Sequence, residues 1–462
     1  MSDALQADYL VVGAGAMGMA FTDAIVTETD KSVILIDRHH RPGGHWNDAY
    51  PFVRLHQPSA FYGVNSKALG NDMIDAQGWN EGLYELASSS EVCTYFDQVM
   101  QQQFLPSGRV QFLPMSEYAG DGKVTSRVSG ATRTISAGKI VDATYMNVTV
   151  PSIRTPPFAV DDEAQCVPVN GLATVSDGHA RYAIIGGGKT SMDACLFLLG
   201  SGVAPEAITW IRPRDSWILD RAFIQPGKLA AGSARAAMDQ SAAVMQANNA
   251  DEVLLAAEAA GSIMRIDATV TPTMYRCATC TVKELNALRT ITDVVRMGHV
   301  TRITCDTVEL EQGSIETGPD VLHVDCSADG LARRPVQPVF DGNRITLQSV
   351  RTCQQVFSAA FIGHVEAAYE SVGEKNDLCQ VVPHPDTSVD FLRTMRDSNR
   401  NAARWAQDAG LQTWLQHARL DGFSRPPEAG STPPEAAAIA KLVEGAAALQ
   451  AKLETLIDAA GN

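Results

Sequence analysis

Two glycine runs carry the clearest chemistry in this chain. Gly13, Gly15 and Gly18 stand in the order G-x-G-x-x-G directly after the apolar run Tyr9-Leu10-Val11-Val12. In such a run the first glycine permits a tight turn and the second lets backbone approach a pyrophosphate. The third lets the following helix pack close to the strand. That helix offers free N–H groups and its positive dipole end to the phosphates. About twenty residues on, Val33-Ile34-Leu35-Ile36 reads as a second strand and ends in Asp37, an acid placed to accept both ribose hydroxyls. Strand, glycine turn, helix, strand and acid together predict dinucleotide binding. The bland alternative is a tight turn with no ligand.

A second turn follows the strand Ala183-Ile184-Ile185. It reads Gly186-Gly187-Gly188-Lys189-Thr190-Ser191, with Ser191 at the third glycine's place, where a small residue still allows close packing. The next strand, Ile208-Thr209-Trp210-Ile211, ends in Arg212, with Arg214 two positions beyond and no acid at the ribose position. Arginine suits a 2′-phosphate that an acid would repel, so this site reads as NADPH-binding rather than NADH-binding. Lys189 is either a pyrophosphate ligand or a solvated lysine. Gly186, Gly188, Lys189, Thr190, Ser191, Arg212 and Arg214 are the expected coenzyme contacts.

The loop after Asp37 holds Arg38, then Gly43-Gly44-His45-Trp46, then Tyr50-Pro51-Phe52-Val53-Arg54-Leu55-His56-Gln57-Pro58. Here the sequence resembles the class B flavoprotein monooxygenases over residues 8 to 66, and more loosely beyond. Those enzymes follow the first glycine motif with an acid, a Gly-Gly-x-Trp and a Tyr-Pro segment under the flavin ring. The resemblance implies FAD at the first site, held by Gly13, Gly15, Gly18, Asp37, Arg38, Gly44, His45 and Trp46. Gly43 and Gly44 supply N–H groups and Trp46 a flat apolar wall; His56, Gln57 and Asn65 are polar candidates at the flavin edge, or plain loop residues. Gln348, with Gln354 and Ser358, is the candidate near the flavin pyrimidine, where the helix SAAFIGHVEAAY is expected to point its N-terminus. The family's domain-crossing strands are matched with departures: Tyr145 follows Asp142-Ala143-Thr144 where glycine is usual, and Asp325-Cys326-Ser327 replaces Ala-Thr-Gly.

By that likeness NADPH reduces the flavin, which reacts with oxygen to a flavin hydroperoxide that attacks a nucleophilic atom in the substrate. The YPFVRLHQPS stretch resembles the nitrosuccinate synthase branch, which N-hydroxylates aspartate. A small amino-bearing substrate such as L-aspartate would need two arginines, and Arg276 and Arg425 are the candidates. Arg276 alternatively meets the coenzyme's phosphates, and Arg425 is alternatively exposed. The rivals are a flavin-dependent NADPH disulfide or electron-carrier reductase, and a non-enzymatic nucleotide sensor. Cys277 and Cys280 form a C-x-x-C resembling that of thioredoxin reductases, but it lies after the second glycine motif instead of just before it. Two cysteines are also a poor zinc site, so no metal is expected.

The elements that must position these residues form an α/β chain of two Rossmann-like domains. The expected division is an FAD-binding part at 1–160, an NADPH-binding domain at 161–330 with a helical insert at 216–262, a second FAD-binding part at 331–400, and C-terminal helices at 401–462. Helix is also expected at 78–103, and a small antiparallel meander from 108 to 144 that ends in a strand of the main sheet. The 435–460 helix is expected to cover apolar surface or to make a homodimer contact. With 462 residues there is enough chain for two or three domains. A net charge of −16 argues against nucleic acid and anionic membrane. No apolar run reaches eighteen residues, and no basic region precedes the apolar N-terminus, so neither a membrane helix nor a signal peptide is expected. Nine scattered cysteines suit reduced thiols in a cytoplasm.

Overall fold

The computed structural model describes residues 5–175, 178–328, 330–422 and 436–461. The chain begins with β1 (Leu5–Val12), α1 (Ala16–Glu28) and β2 (Val33–Ile36), then α2 (Ser89–Val99), β3 (Val110–Leu113), β4 (Ser116–Gly120), β5 (Lys123–Ser126) and β6 (Thr132–Asp142). The middle runs β7 (Ala159–Val160), β8 (Cys166–Pro168), β9 (Arg181–Ile185), α3 (Lys189–Gly200), β10 (Ile208–Ile211), β11 (Ser216–Asp220), α4 (Ala231–Gln246), α5 (Ala250–Ala259), β12 (Ile263–Met264) and β13 (Met274–Cys280). It continues with α6 (Val282–Leu288), β14 (Val294–Val295), β15 (Val300–Ile303), β16 (Thr307–Leu310), β17 (Gly313–Glu316) and β18 (Val321–Asp325). The chain then forms β19 (Phe340–Asp341), β20 (Arg344–Thr346), α7 (Gln355–Ala368), α8 (Val372–Leu378), α9 (Ser388–Trp405), α10 (Ala409–His417) and α11 (Ala436–Ala460).

The first sheet has the order β19-β20-β6-β1-β2-β3, with β4 and β5 hanging from β6. Its core is parallel: Tyr9 faces Val33 and Leu10 faces Ile140. All four residues of β2 are buried, as in a strand covered on both faces. The second sheet, β14-β10-β9-β18-β8, is parallel throughout. The chain leaves the first sheet after β6 and re-enters it at β19, so one Rossmann-like unit is inserted in the other. Helices α1 and α7 cross closely beneath the first sheet; a Cβ on Gly363 would lie 2.7 Å from that of Ala24.

Several expected elements differ. Residues 78–88 are not helical: Gly78 and Gly82 take φ of +81° and +86°, which breaks any helix there. The helix starts at Ser89 behind a capping box of Ser88 and Glu91. Strand β3 joins the main sheet beside β2 instead of a separate meander. The insert expected to be helical from 216 begins with a strand, β11, which pairs with β12 and β13. No helix among the described residues is long and apolar enough to cross a membrane.

Candidate functional site

The first cradle forms at the end of β1. Gly13 takes φ +101°, open to glycine and strained for other residues, and a Cβ on Gly18 would lie 1.9 Å from the Gly13 carbonyl oxygen. Gly44, at φ +56°, brings its backbone against Gly15, where a Cβ would stand 2.8 Å from the Gly15 Cα. Helix α1 starts at Gly15 with no side-chain cap and no acid in its first turn. Its free N–H groups therefore suit an anion. Asp37 is buried and accepts from the Ala14 N–H at 2.6 Å and the His39 N–H at 2.8 Å. His39 lies between Asp37, at 2.7 Å, and Asp48, at 2.8 Å. The hydrogen bond to Asp37 raises its pKa, and the bond to Asp48 adds to this against the opposing effect of burial.

The second cradle repeats the plan. Gly186 takes φ +141°, and a Cβ on Gly187 would lie 2.3 Å from the Arg214 carbonyl oxygen. Helix α3 starts at Gly188, again without a side-chain cap. Ser191 is fully buried and donates to the Gly188 carbonyl at 2.7 Å, a packing position like that of Gly18. Lys189 is held by Asp193, one helical turn on, and Asp193 also accepts from the Tyr50 hydroxyl at 2.7 Å. Phe52 stacks on Phe197 with ring centres 4.2 Å apart. These contacts pin the 50–58 segment of the first unit to α3 of the second.

Both cradles open on one cleft of about 1130 Å³, above the usual range of about 300–1,000 Å³ for a single small-molecule site. Gly13, Gly15, Asp37, Arg38, Gly44, His45 and Trp46 line it from one side, and Gly186, Gly188, Lys189 and Thr190 from the other. His56 and Gln57 line it as well. Burial pushes the His45 imidazole down to about 4, and burial with the charges of Lys189 and Arg221 holds His56 well below the usual histidine range. Both are therefore neutral at physiological pH. Trp46 is a wall, fixed by its indole N–H donating to the Tyr62 hydroxyl at 2.6 Å.

Other expected site residues stand elsewhere. Arg212 does not line the cleft: it is 1% exposed, lies 2.8 Å from Asp215 and stacks over Trp210 at 4.7 Å. Asn65 is used in a long-range contact, accepting from the Leu420 N–H at 3.1 Å, and does not line the cleft. Gln348 is buried and bonds the backbone of Gln337 in both directions. The Gly43 N–H is taken by the Ala14 carbonyl at 2.9 Å, so only Gly44 of that pair faces the cleft. Arg425 lies outside the described residues.

Arg214 and Arg276 do line the cleft, together with Arg333 and His384. The three arginines surround Asp386, at 3.2 Å from Arg214, 2.7 Å from Arg276 and 3.2 Å from Arg333. Burial pushes the Asp386 carboxyl upward, but the bond from Arg276 and the three positive charges outweigh it and hold it below the ordinary value. Arg214, Arg276 and Arg333 thus place three guanidinium groups on this wall of the cleft, each within ion-pair reach of Asp386. Sequence reasoning missed Asp193, Arg333, His384 and Asp386. They come from a helix turn, a loop and the approach to α9, and no local pattern singles them out.

The cysteines also depart from expectation. Cys277 pairs not with Cys280 but with Cys353 in a disulfide across 76 residues. The other seven cysteines are free, and burial pushes the Cys280 thiol up to about 12. Among the described residues, no group of three or more His, Cys, Asp or Glu side chains is placed to hold a metal.

Two sheets, one with a parallel core and one parallel throughout, each with an uncapped glycine turn on a shared cleft, define an α/β protein of paired Rossmann-like units. Residues 11–64 match the NAD(P)-binding Rossmann-like domain family. The chain is 51% identical over 419 residues to the uncharacterized protein Rv2000 of Mycobacterium tuberculosis strain H37Rv, covering 90% of this chain and 78% of that protein, and it belongs to the same family. Among solved structures it is similar to closed cyclohexanone monooxygenase, at 14% identity over 97% of this chain and 98% of that one, with a TM-score of 0.48. It is similar also to OTEMO in complex with FAD and NADP, at 14% identity over 79% and 83% of the two chains, with a TM-score of 0.48.

Proposed function

We propose that this protein is a flavin-dependent NADPH monooxygenase, with FAD on the first cradle and NADPH on the second. The observation that carries the reading is that the N-termini of α1 and α3, both without side-chain caps, open on one cleft. The chemistry supplied by the bound groups is hydride transfer to the flavin and oxygen transfer to a small substrate. The chain's own residues bind, orient and shield. Asp37 takes the ribose of FAD, Trp46 walls the ring, and Arg214 takes the 2′-phosphate of NADPH. His56 and Gln57 give hydrogen bonds at the reacting end without adding charge.

For the substrate, the reading is a small amino-bearing molecule such as L-aspartate, oxidised at nitrogen. The guanidinium groups of Arg214, Arg276 and Arg333 on the cleft wall support it, because guanidinium is a good partner for a substrate carboxylate. The test starts with purified protein saturated with FAD. NADPH consumption is screened against amino acids, sulfides and ketones under ¹⁸O₂, with products weighed by mass spectrometry. One labelled oxygen in a product, with an amino acid as the preferred substrate, is the expected result. NADPH consumption with no label in any product would make the protein a reductase. A sample that stays colourless after soaking in FAD would remove the flavin reading altogether. Replacing Arg276 with Ala should raise the substrate KM about tenfold or more while the flavin content holds. An unchanged KM for aspartate would sink the amino-acid assignment.

A further inference from the structure

The wall of the cleft holds a pair of cysteines that neither cradle uses. Cys277 lies in β13, in the part of the chain that follows the second cradle. Cys353 lies in the turn between β20 and α7, in the returning part of the first unit. Their Cα atoms are 6.5 Å apart and the two are joined, within the usual disulfide reach of about 4.4–6.8 Å. Both line the cleft.

The backbone is unusual at both cysteines. Cys277 takes φ +56° and Cys353 φ +53°, a region that non-glycine residues seldom occupy. In a regular strand, Arg276 and Cys277 would face opposite sides. Here Arg276, Cys277 and Ala278 all line the cleft, and the pairing of β11 with β13 shifts register at the same place. An irregular strand that re-aims a side chain is a common device beside functional sites. Cys353 is the more exposed of the two and stands two residues before α7, whose N-terminus has no side-chain cap. A helix N-terminus favours negative charge, and so the thiolate form. Cys280, the other half of the C-x-x-C, is fully buried, does not line the cleft and is free.

We propose that Cys277 and Cys353 are a reversible dithiol–disulfide site, oxidised by peroxide, that sets coenzyme affinity by joining β13 to the approach of α7. The Cys353 thiolate attacks one oxygen of hydrogen peroxide; an S–O bond forms, the O–O bond breaks, and hydroxide leaves and is protonated to water. The Cys277 sulfur then attacks the Cys353 sulfur, loses its proton and displaces a second hydroxide, which leaves as water. Two thiols are oxidised by two electrons, and one peroxide is reduced to two waters. An external dithiol reverses the change by thiol–disulfide exchange. The inference does not require oxygen transfer, since the peroxide is supplied from solution, but its effect on coenzyme affinity rests on the reading that NADPH binds the second cradle. A protein that binds no NADPH in either form would count against that reading, while the alkylation map tests the cysteine pair by itself.

The test uses the full-length protein under native conditions. One sample is treated with a dithiol and another with hydrogen peroxide; both are alkylated and mapped by mass spectrometry. The expected result is that Cys277 and Cys353 become alkylated after the dithiol, and that peroxide restores one cross-linked peptide joining them. NADPH binding, followed by fluorescence titration, should differ by about fivefold or more between the two forms, and the difference should vanish in C353S. The wild-type map stands alone if that variant fails to fold. A pair that the dithiol reaches only after denaturation overturns the proposal, as does a cross-link to Cys280 or equal NADPH affinity in the two forms.

Discussion

The Tyr50 hydroxyl donates to Asp193 at 2.7 Å, tying the loop of the first unit to the helix that opens the second cradle. Asp193 also holds Lys189, so one carboxylate receives both a phenol and an ammonium at the joint. Burial and the neighbouring Asp193 charge keep Tyr50 protonated, well above its ordinary range, so it stays a donor at any working pH. Tyr50→Phe removes one hydrogen bond to a charged group and should cost about 1–3 kcal/mol in urea denaturation. If the joint also positions the second cradle, KM for NADPH rises in the same variant. Unchanged stability and KM would mean that solvent replaces the hydroxyl without loss.

The two arginines after β10 should separate cleanly by experiment. Arg212 is buried beside Asp215 and Trp210, while Arg214 lines the cleft. Arg212→Ala should lower stability by up to about 3–5 kcal/mol, with the loss moderated because Asp215 keeps Arg296 at 2.8 Å. Arg214→Ala should leave folding nearly intact and raise KM for NADPH about tenfold, the loss of one charge-assisted hydrogen bond. Thermal melts paired with steady-state kinetics read both. The reverse pattern would return the 2′-phosphate contact to Arg212.

That contrast also shows what the sequence made legible. The glycine motifs were readable because each glycine answers a local backbone need, at Gly13 a positive φ and at Gly18 a helix packed against a carbonyl. Their spacing fixes strand, turn and helix without knowledge of the rest. Arg212 lies off the cleft because side-chain direction at a strand end depends on where the strand stops. Trp210 and Arg212 share one face by the two-residue period, and that face turned inward. Asn65 and Gln348 stand away from the cleft for another reason. Short polar residues in loops bond backbone as readily as ligand, and nothing local tells which partner they meet. The Cys277–Cys353 pair and the Asp386 cluster are long-range contacts, which one sequence does not reveal.

Glycines offer a sharper pair of tests. A Cβ on Gly18 would lie 1.9 Å from the Gly13 carbonyl oxygen, which is backbone and cannot swing aside. Gly18→Ala should therefore cost at least about 1–3 kcal/mol and weaken retention of bound flavin. Gly445 lies in α11 with nothing within 4 Å of an added Cβ. Gly445→Ala should stabilise by up to about 0.5–1 kcal/mol through helix propensity. Denaturant titration of both, with flavin content measured by absorbance, checks the signs. A harmless Gly18→Ala would mean that α1 can move away from β1.

His39 should make stability depend on pH near the first cradle. Its ring is held by Asp37 and Asp48, and the bond to Asp37 raises its folded-state pKa above the usual value of about 6.5. The folded protein then binds this proton more tightly than the unfolded chain does. Its contribution is full below about pH 6.5 and fades as pH rises through the folded-state value. His39→Gln keeps a hydrogen-bonding side chain but cannot carry the charge. The gap in denaturation midpoint between wild type and His39→Gln should be wide near about pH 6 and narrow near about pH 9. Because Asp37 is the acid expected to hold the ribose, flavin retention should follow the same trend. A gap of equal size at both values would show that folding does not raise the His39 pKa.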